Sequence, residues 1–147
     1  MRSITSEWYE IGFRYMKTTD DGTVKAVTEQ YVVEALSFTE AESNIVREMK
    51  SYIHGTYEIK TIRKAVYKEI FFSDEDKDDK WYKAKLQFLT VDEKKEELKR
   101  SNVVYLIQSA SLNKACKSID DIMGGTMTDY NSMSLQETKI MDVYELK

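Results

Sequence analysis

Few side chains in this 147-residue sequence have the types and spacing that chemistry needs. Cys116 and His54 could act as nucleophile and base, because an imidazole can activate a neighbouring thiol. Neither stands in a recognisable catalytic motif. His54 just precedes Gly55, where a cation suits the C-terminal end of a helix dipole. A structural thiol and a helix-end histidine are expected, and no enzyme. The run Asp74-Glu75-Asp76-Lys77-Asp78-Asp79 offers oxygen ligands to a hard divalent cation, but it lacks the glycine and terminal glutamate of a calcium loop. A solvated acidic connector is the expected reading. Gly124-Gly125-Thr126 has no lysine at the spacing of a phosphate loop and reads as a helix stop. No metal or cofactor is expected.

The remaining set is aromatic and basic. Strand alternation places Trp8 with Arg14, and Trp81 with Lys83 and Lys85, on outward faces. A later strand adds Lys60, Arg63, Lys64 and Lys68. Single-stranded nucleic acid is held in this way, its bases stacked on aromatic rings and its phosphates met by lysine or arginine. The competing expectation packs both tryptophans into the core and leaves the lysines as a solvated sheet face. On balance the sequence predicts a non-enzymatic binding or accessory module acting through protein contacts, self-association included. Single-stranded nucleic-acid binding is the alternative.

The elements that would position these residues occur twice. Trp8-Tyr9 returns as Trp81-Tyr82 at an offset of 73, and Glu69-Ile70-Phe71 matches Asp142-Val143-Tyr144 at the same offset. Tyr31, Val33, Ser37, Phe38, Ala41, Ile45 and Met49 return at an offset of 74 as Tyr105, Ile107, Ser111, Leu112, Ala115, Ile119 and Met123. Such self-similarity predicts an internal duplication: residues 1–72, an acidic linker 73–80, and residues 81–147.

Each half opens with period-two alternation, Tyr9, Ile11, Phe13 and Tyr15 in one, Tyr82, Ala84, Leu86 and Phe88 in the other. That is the pattern of a strand with one buried face. Asp20-Asp21-Gly22 supplies a hairpin turn, and a longer exposed turn spans Asp92 to Glu97. Second strands follow over about 24–35 and 99–110. Ser37-Phe38-Thr39-Glu40 is a capping box, with Gly55 placed to end the helix. The second helix is capped by Ser111 but has Lys114 in place of Glu40, which predicts a weaker cap. The last element of each half, 59–72 or 130–144, alternates with one slip, as a bulged strand would. The expected fold is α+β, two ββαβ units packed with pseudo-twofold symmetry.

Charge and composition narrow the function classes. The net charge is −4. It is concentrated in residues 73–80, which carry −3, while the flanking halves carry −1 and zero. No large basic field steers the whole chain toward nucleic acid. No apolar run reaches the ~20 residues of a membrane span, and the first residues lack the apolar core of a secretory signal. The lone Cys116 cannot form an intrachain disulfide and suits a reducing cytoplasm.

Several runs resemble a known family: Trp8-Tyr9-Glu10, Val27-Thr28-Glu29-Gln30-Tyr31, Ser37-Phe38-Thr39-Glu40-Ala41-Glu42, Glu69-Ile70-Phe71-Phe72, Trp81-Tyr82-Lys83, Gly125-Thr126-Met127 and Ile140-Met141-Asp142-Val143. Together they are similar to the family catalogued as domain of unknown function 4494, from Bacteroides-type bacteria and their mobile elements. The resemblance covers nearly the whole chain. It implies a small cytoplasmic α+β protein, often in a phage or mobile-element setting, and carries no activity or active site with it.

Overall fold

The computed structural model describes residues 6–126 and 128–146. Met127 of the Gly125-Thr126-Met127 motif lies outside the described residues, as does the start of the chain, where no secretory signal was expected. The fold is mixed α+β. In chain order the elements are β1 (Glu7–Thr18), β2 (Val24–Ala35), α1 (Phe38–Met49), β3 (Tyr57–Lys64), β4 (Glu69–Phe71), β5 (Lys80–Asp92), β6 (Glu97–Ser109), α2 (Leu112–Gly124), β7 (Asp129–Glu137) and β8 (Ile140–Tyr144). They form two four-stranded sheets, β3-β1-β2-β8 and β4-β6-β5-β7.

The chain divides into two compact units, Met1–Val66 with Lys139–Lys147, and Tyr67–Thr138. The second unit is one continuous stretch, whereas the first is completed by the last residues of the chain, so neither coincides with the halves 1–72 and 81–147. Residues 59–72 and 130–144, expected as single bulged strands, are each two strands belonging to different sheets. β3 pairs with β1, whereas β4 pairs in parallel with β6. β7 pairs with β5, whereas β8 pairs in parallel with β2. The chain thus changes sheet within each run, after β3 and again after β7. The expected bulge is present in the first strand of each run: Lys60 of β3 is the extra residue opposite the Gly12–Phe13 step of β1, and Met133 of β7 the extra residue opposite the Lys85–Leu86 step of β5.

In the first unit the alternating residues of β1 and β2 turn one face onto α1. Tyr9, Ile11, Phe13, Tyr15, Tyr31 and Val33 form a core with Ala41, Ile45 and Met49 of the helix. In the second, Ala84, Leu86, Tyr105 and Ile107 meet Ile119 and Met123. Burying side chains of this kind contributes roughly 1.5–3 kcal/mol each, so this face fixes the strand register.

Both helices begin as their sequences predict, with the side chain of Ser37 accepting from the Glu40 amide and that of Ser111 from the Lys114 amide. The Glu40 carboxylate reaches back one residue further than expected, to the Leu36 amide at 3.3 Å. α1 stops at Met49, with Lys50 still right-handed at its cap, so Gly55 does not end it and His54 sits exposed in the following loop. Gly22 takes the positive φ that the β1–β2 turn requires.

Residues 73–80, expected as a solvated connector, are tied into the second unit. Asp78 is buried and accepts from Ser73 Oγ and from Lys114 Nζ at 2.7 Å. Lys114 also reaches Glu75, and the Ser73 amide donates to Gln108. The lysine that removes the capping box from α2 thus clamps the acidic segment to the helix's N-terminal turn, where carboxylates suit the dipole. Lys114 first and Ser73 second hold the Asp78 carboxyl below its usual range, and Asp78 in turn pushes the Lys114 ammonium up.

Candidate functional site

Trp81 is buried, its ring edge-on to Phe72 at 5.5 Å, so it cannot offer a face to a base. This overturns its placement on an outward surface. Leu106, on the neighbouring strand, is buried as well, so the sheet is covered on both sides at this end. Trp8 is half-buried. Arg14, Lys60, Arg63, Lys64 and Lys85 are exposed and Lys83 is half-buried. The three basic residues of β3 are already engaged by carboxylates, Arg63 with Glu10 at 2.8 Å, Lys64 with Glu7 at 3.0 Å and Lys60 with Glu58 at 3.7 Å. The matched pair of tryptophan platforms is therefore not formed.

Cys116 is exposed on α2, and His54 belongs to the first unit. Among the described residues, no group of three or more His, Cys, Asp or Glu is placed to hold a metal ion.

Two concave surfaces stand out instead, both in the first unit. One is a groove of about 940 Å³ where α1 faces β3. Val46, Ile53, Tyr57 and Ile59 give it an apolar lining, and Glu42, Ser43, Arg47 and Lys50 a polar one. Among the described residues, β3 is the edge strand of its sheet, with β1 its only strand neighbour. Phe13 stacks against Tyr57 at 5.6 Å and anchors that ring from the core side.

The other is a pocket of about 260 Å³ at the far end of β1 and β2, lined by Tyr15, Lys17, Glu29, Tyr31, Met49, Tyr52, Met141, Asp142 and Tyr144. Here the sequence analysis missed a cluster. Tyr15 and Tyr31 both donate to Glu29 Oε1, at 2.6 and 2.9 Å, while Lys17 pairs with Oε2 at 3.2 Å. Burial works to raise the Glu29 carboxyl, but these three donors outweigh it and hold the group below its ordinary value. Burial, reinforced by Glu29, pushes both phenols far above theirs, so they stay protonated. Tyr144 is pushed up to about 12, chiefly by burial and then by Asp142. Asp142 also lines the pocket; partial desolvation raises its carboxyl, with Glu48 adding to the effect and the Val143 amide opposing it. The spacing of Tyr15, Glu29 and Tyr31 could have flagged this cluster, since all three share one face of one hairpin between its middle and its turn. Asp142 and Tyr144 arrive only through the strand exchange.

At corresponding positions the second unit differs. Tyr15, Glu29, Met141 and Tyr144 become Phe88, Val103, Lys68 and Phe71, and Val46 and Ile59 of the groove become Asp120 and Ser132. Lys68 places its ammonium 5.5 Å from the Phe88 ring centre.

The structure thus defines a two-unit α+β protein whose first unit carries both the α1–β3 groove and the tyrosine pocket. The chain belongs to the family described as Domain of unknown function (DUF4494), whose model matches residues 7–146. No curated protein matches it. No helix among the described residues is long and apolar enough to cross a membrane.

Proposed function

We propose that this chain is a non-enzymatic binding module acting through protein contacts, and that the groove between α1 and β3 receives an extended peptide. The observation that carries this reading is an apolar-lined groove running beside an open sheet edge. Peptides add to such edges through main-chain hydrogen bonds, while pockets alongside select their side chains. Val46, Ile53 and Ile59 would take apolar side chains of the peptide. Arg47 and Lys50, which have no carboxylate partner among the described residues, would meet an acidic group on it.

In the same proposal the chain is an internal duplication of ββαβ units, of which only the first keeps the groove. The matched offsets support this, as do the matched parallel registers, Tyr31 opposite Asp142 and Tyr105 opposite Glu69. We place the protein in the cytoplasm, in keeping with its single thiol, and in a phage or mobile-element setting.

The test is selection from a phage-displayed library of linear peptides, followed by affinity measurement on Val46→Asp and Ile59→Ser. Each variant installs the second unit's residue. Recovered peptides should bind each at least about tenfold more weakly, as a lost apolar anchor implies, and should protect β3 amides from exchange. Peptides indifferent to both changes, or none recovered, would overturn the groove. A short single-stranded DNA titrated against tryptophan fluorescence forms the comparison arm. Saturable, salt-sensitive quenching there would favour the nucleic-acid alternative.

A further inference from the structure

The tyrosine pocket of the first unit accepts hydrogen bonds far more readily than it donates them. Tyr15 and Tyr31 commit their protons to Glu29, so their oxygens turn only lone pairs toward anything else. One Asp142 oxygen accepts from the Val143 amide, and among the described residues no lysine or arginine pairs with this carboxylate. Glu48 adds negative charge beside Asp142 and Tyr144. Lys17, the one cation lining the pocket among the described residues, is held by Glu29 with nearly half its side chain in solvent. Aromatic rings complete the lining, with Tyr31 and Tyr144 stacked at 5.9 Å and Tyr52 exposed beside them.

An enclosure of ring faces and carboxylates selects a cation, because the ring quadrupole and the acids attract the same charge. The second unit offers an independent indication. At the place of Met141 it carries Lys68, whose ammonium lies over Phe88, the counterpart of Tyr15. One unit fills this place with a cation of its own. The other presents methionine there, keeps the acids, and stays open. At about 260 Å³ the pocket falls below the ~300 Å³ at which drug-sized sites begin, which suits the head of a side chain.

We propose that the pocket formed by Tyr15, Glu29, Tyr31, Tyr52, Asp142 and Tyr144 binds the ammonium or guanidinium head of a lysine or arginine side chain. This site is separate from the α1–β3 groove and stands or falls without it.

Two methionines, Met49 and Met141, line the pocket, so their methyl resonances report occupancy directly. The full chain labelled at methionine methyls is titrated with N-acetyl-lysine amide and N-acetyl-arginine amide, with N-acetyl-norleucine amide as the neutral control. The cationic probes should give saturable shifts at Met49 and Met141, and the neutral one none. Asp142→Asn should weaken binding about tenfold, the scale of losing one charge partner. Met141→Lys, which copies the second unit, should abolish it while the other methionine signals stay in place. Equal binding of the neutral probe, unchanged binding by Met141→Lys, or no saturation with either cation would overturn the proposal. Loss of groove peptides in the Val46→Asp protein with these shifts intact would separate the two sites.

Discussion

Between the middle and the turn of its first hairpin, the first unit sets Tyr15, Glu29 and Tyr31 together, and the second sets Phe88, Val103 and Tyr105 at matching positions. The surrounding frame is the same in both. β1 and β5 lie between an antiparallel edge strand and a second strand, which in turn pairs with a short parallel strand from the opposite half of the sequence. Even the cap beyond that short strand is matched, since Glu34 accepts from the Leu146 amide at 2.9 Å and Gln108 accepts from the Ser73 amide at 2.9 Å. A polar cluster on one copy of a frame, and an apolar patch on the other, means that the frame does not require the polar cluster. Its cost in desolvation is met at Glu29 by three donors.

If the frames are equivalent, matching core truncations should hurt alike, and these carry the largest effects. Ile45 and Ile119 are buried at equivalent positions of α1 and α2. Ile45→Ala and Ile119→Ala should each destabilise by about 2–5 kcal/mol, read as a lowered midpoint in urea unfolding. A large effect in one and a negligible one in the other would break the equivalence.

The polar cluster should behave differently. Glu29→Val, the second unit's residue, leaves the hydroxyls of Tyr15 and Tyr31 without their acceptor, at a cost of about 1–3 kcal/mol. Adding Tyr15→Phe should recover part of that loss, so the double variant is less destabilised than the sum of the singles. Strict additivity would mean that the 2.6 Å contact contributes nothing. The acid limb provides a second reading. Glu29's carboxyl lies below its ordinary value in the folded state. Its contribution is therefore present above the unfolded carboxylate range and lost as pH falls through the folded value. Wild type and Glu29→Val should converge in stability under acid.

Asp78 sharpens the comparison from the second unit's side, with a smaller effect. The first unit has Glu40 where the second has Lys114, so only the second clamps an acidic segment onto its helix. Asp78→Asn should lower the melting midpoint at neutral pH. Since the folded carboxyl lies below its ordinary value, the difference should shrink as pH falls from about 4 through that lowered value. A pH-independent difference would mean that the charge is irrelevant and that only packing was lost.

How much of this was legible follows from which forces act locally. Tyr9, Ile11, Phe13 and Tyr15 alternate because one sheet face meets a helix, and Ser37 and Ser111 cap because serine oxygens reach nearby amides, so strands and helix starts read directly. The strand exchange did not. Glu69–Phe71 and Ile140–Tyr144 show the same alternation whichever sheet they join, and only long-range pairing decides that. Trp81 was misplaced for a related reason, since alternation identifies two faces but cannot tell when both are covered. The pocket draws Asp142 and Tyr144 from the far end of the chain, so half of it lay beyond any local pattern. Asp78 looked solvated because its neighbours are charged, whereas its partner Lys114 is thirty-six residues away.

The smallest expected effect concerns the outward faces of the two helices. Cys116 on α2 stands where α1 has Glu42, which lines the groove, and both are exposed. Cys116→Glu should shift stability by no more than about 0.5 kcal/mol, as surface substitutions away from special features do. The wild-type thiol should react with a thiol reagent in the folded protein at the rate of an open site. Thermal melts and reaction rates under native conditions check both. A larger loss would mean that this face of α2 is committed to packing, and that the helices differ in structural role as well as in what they present. A neutral result would mean that the frame accepts at this position of α2 the residue that α1 carries at Glu42.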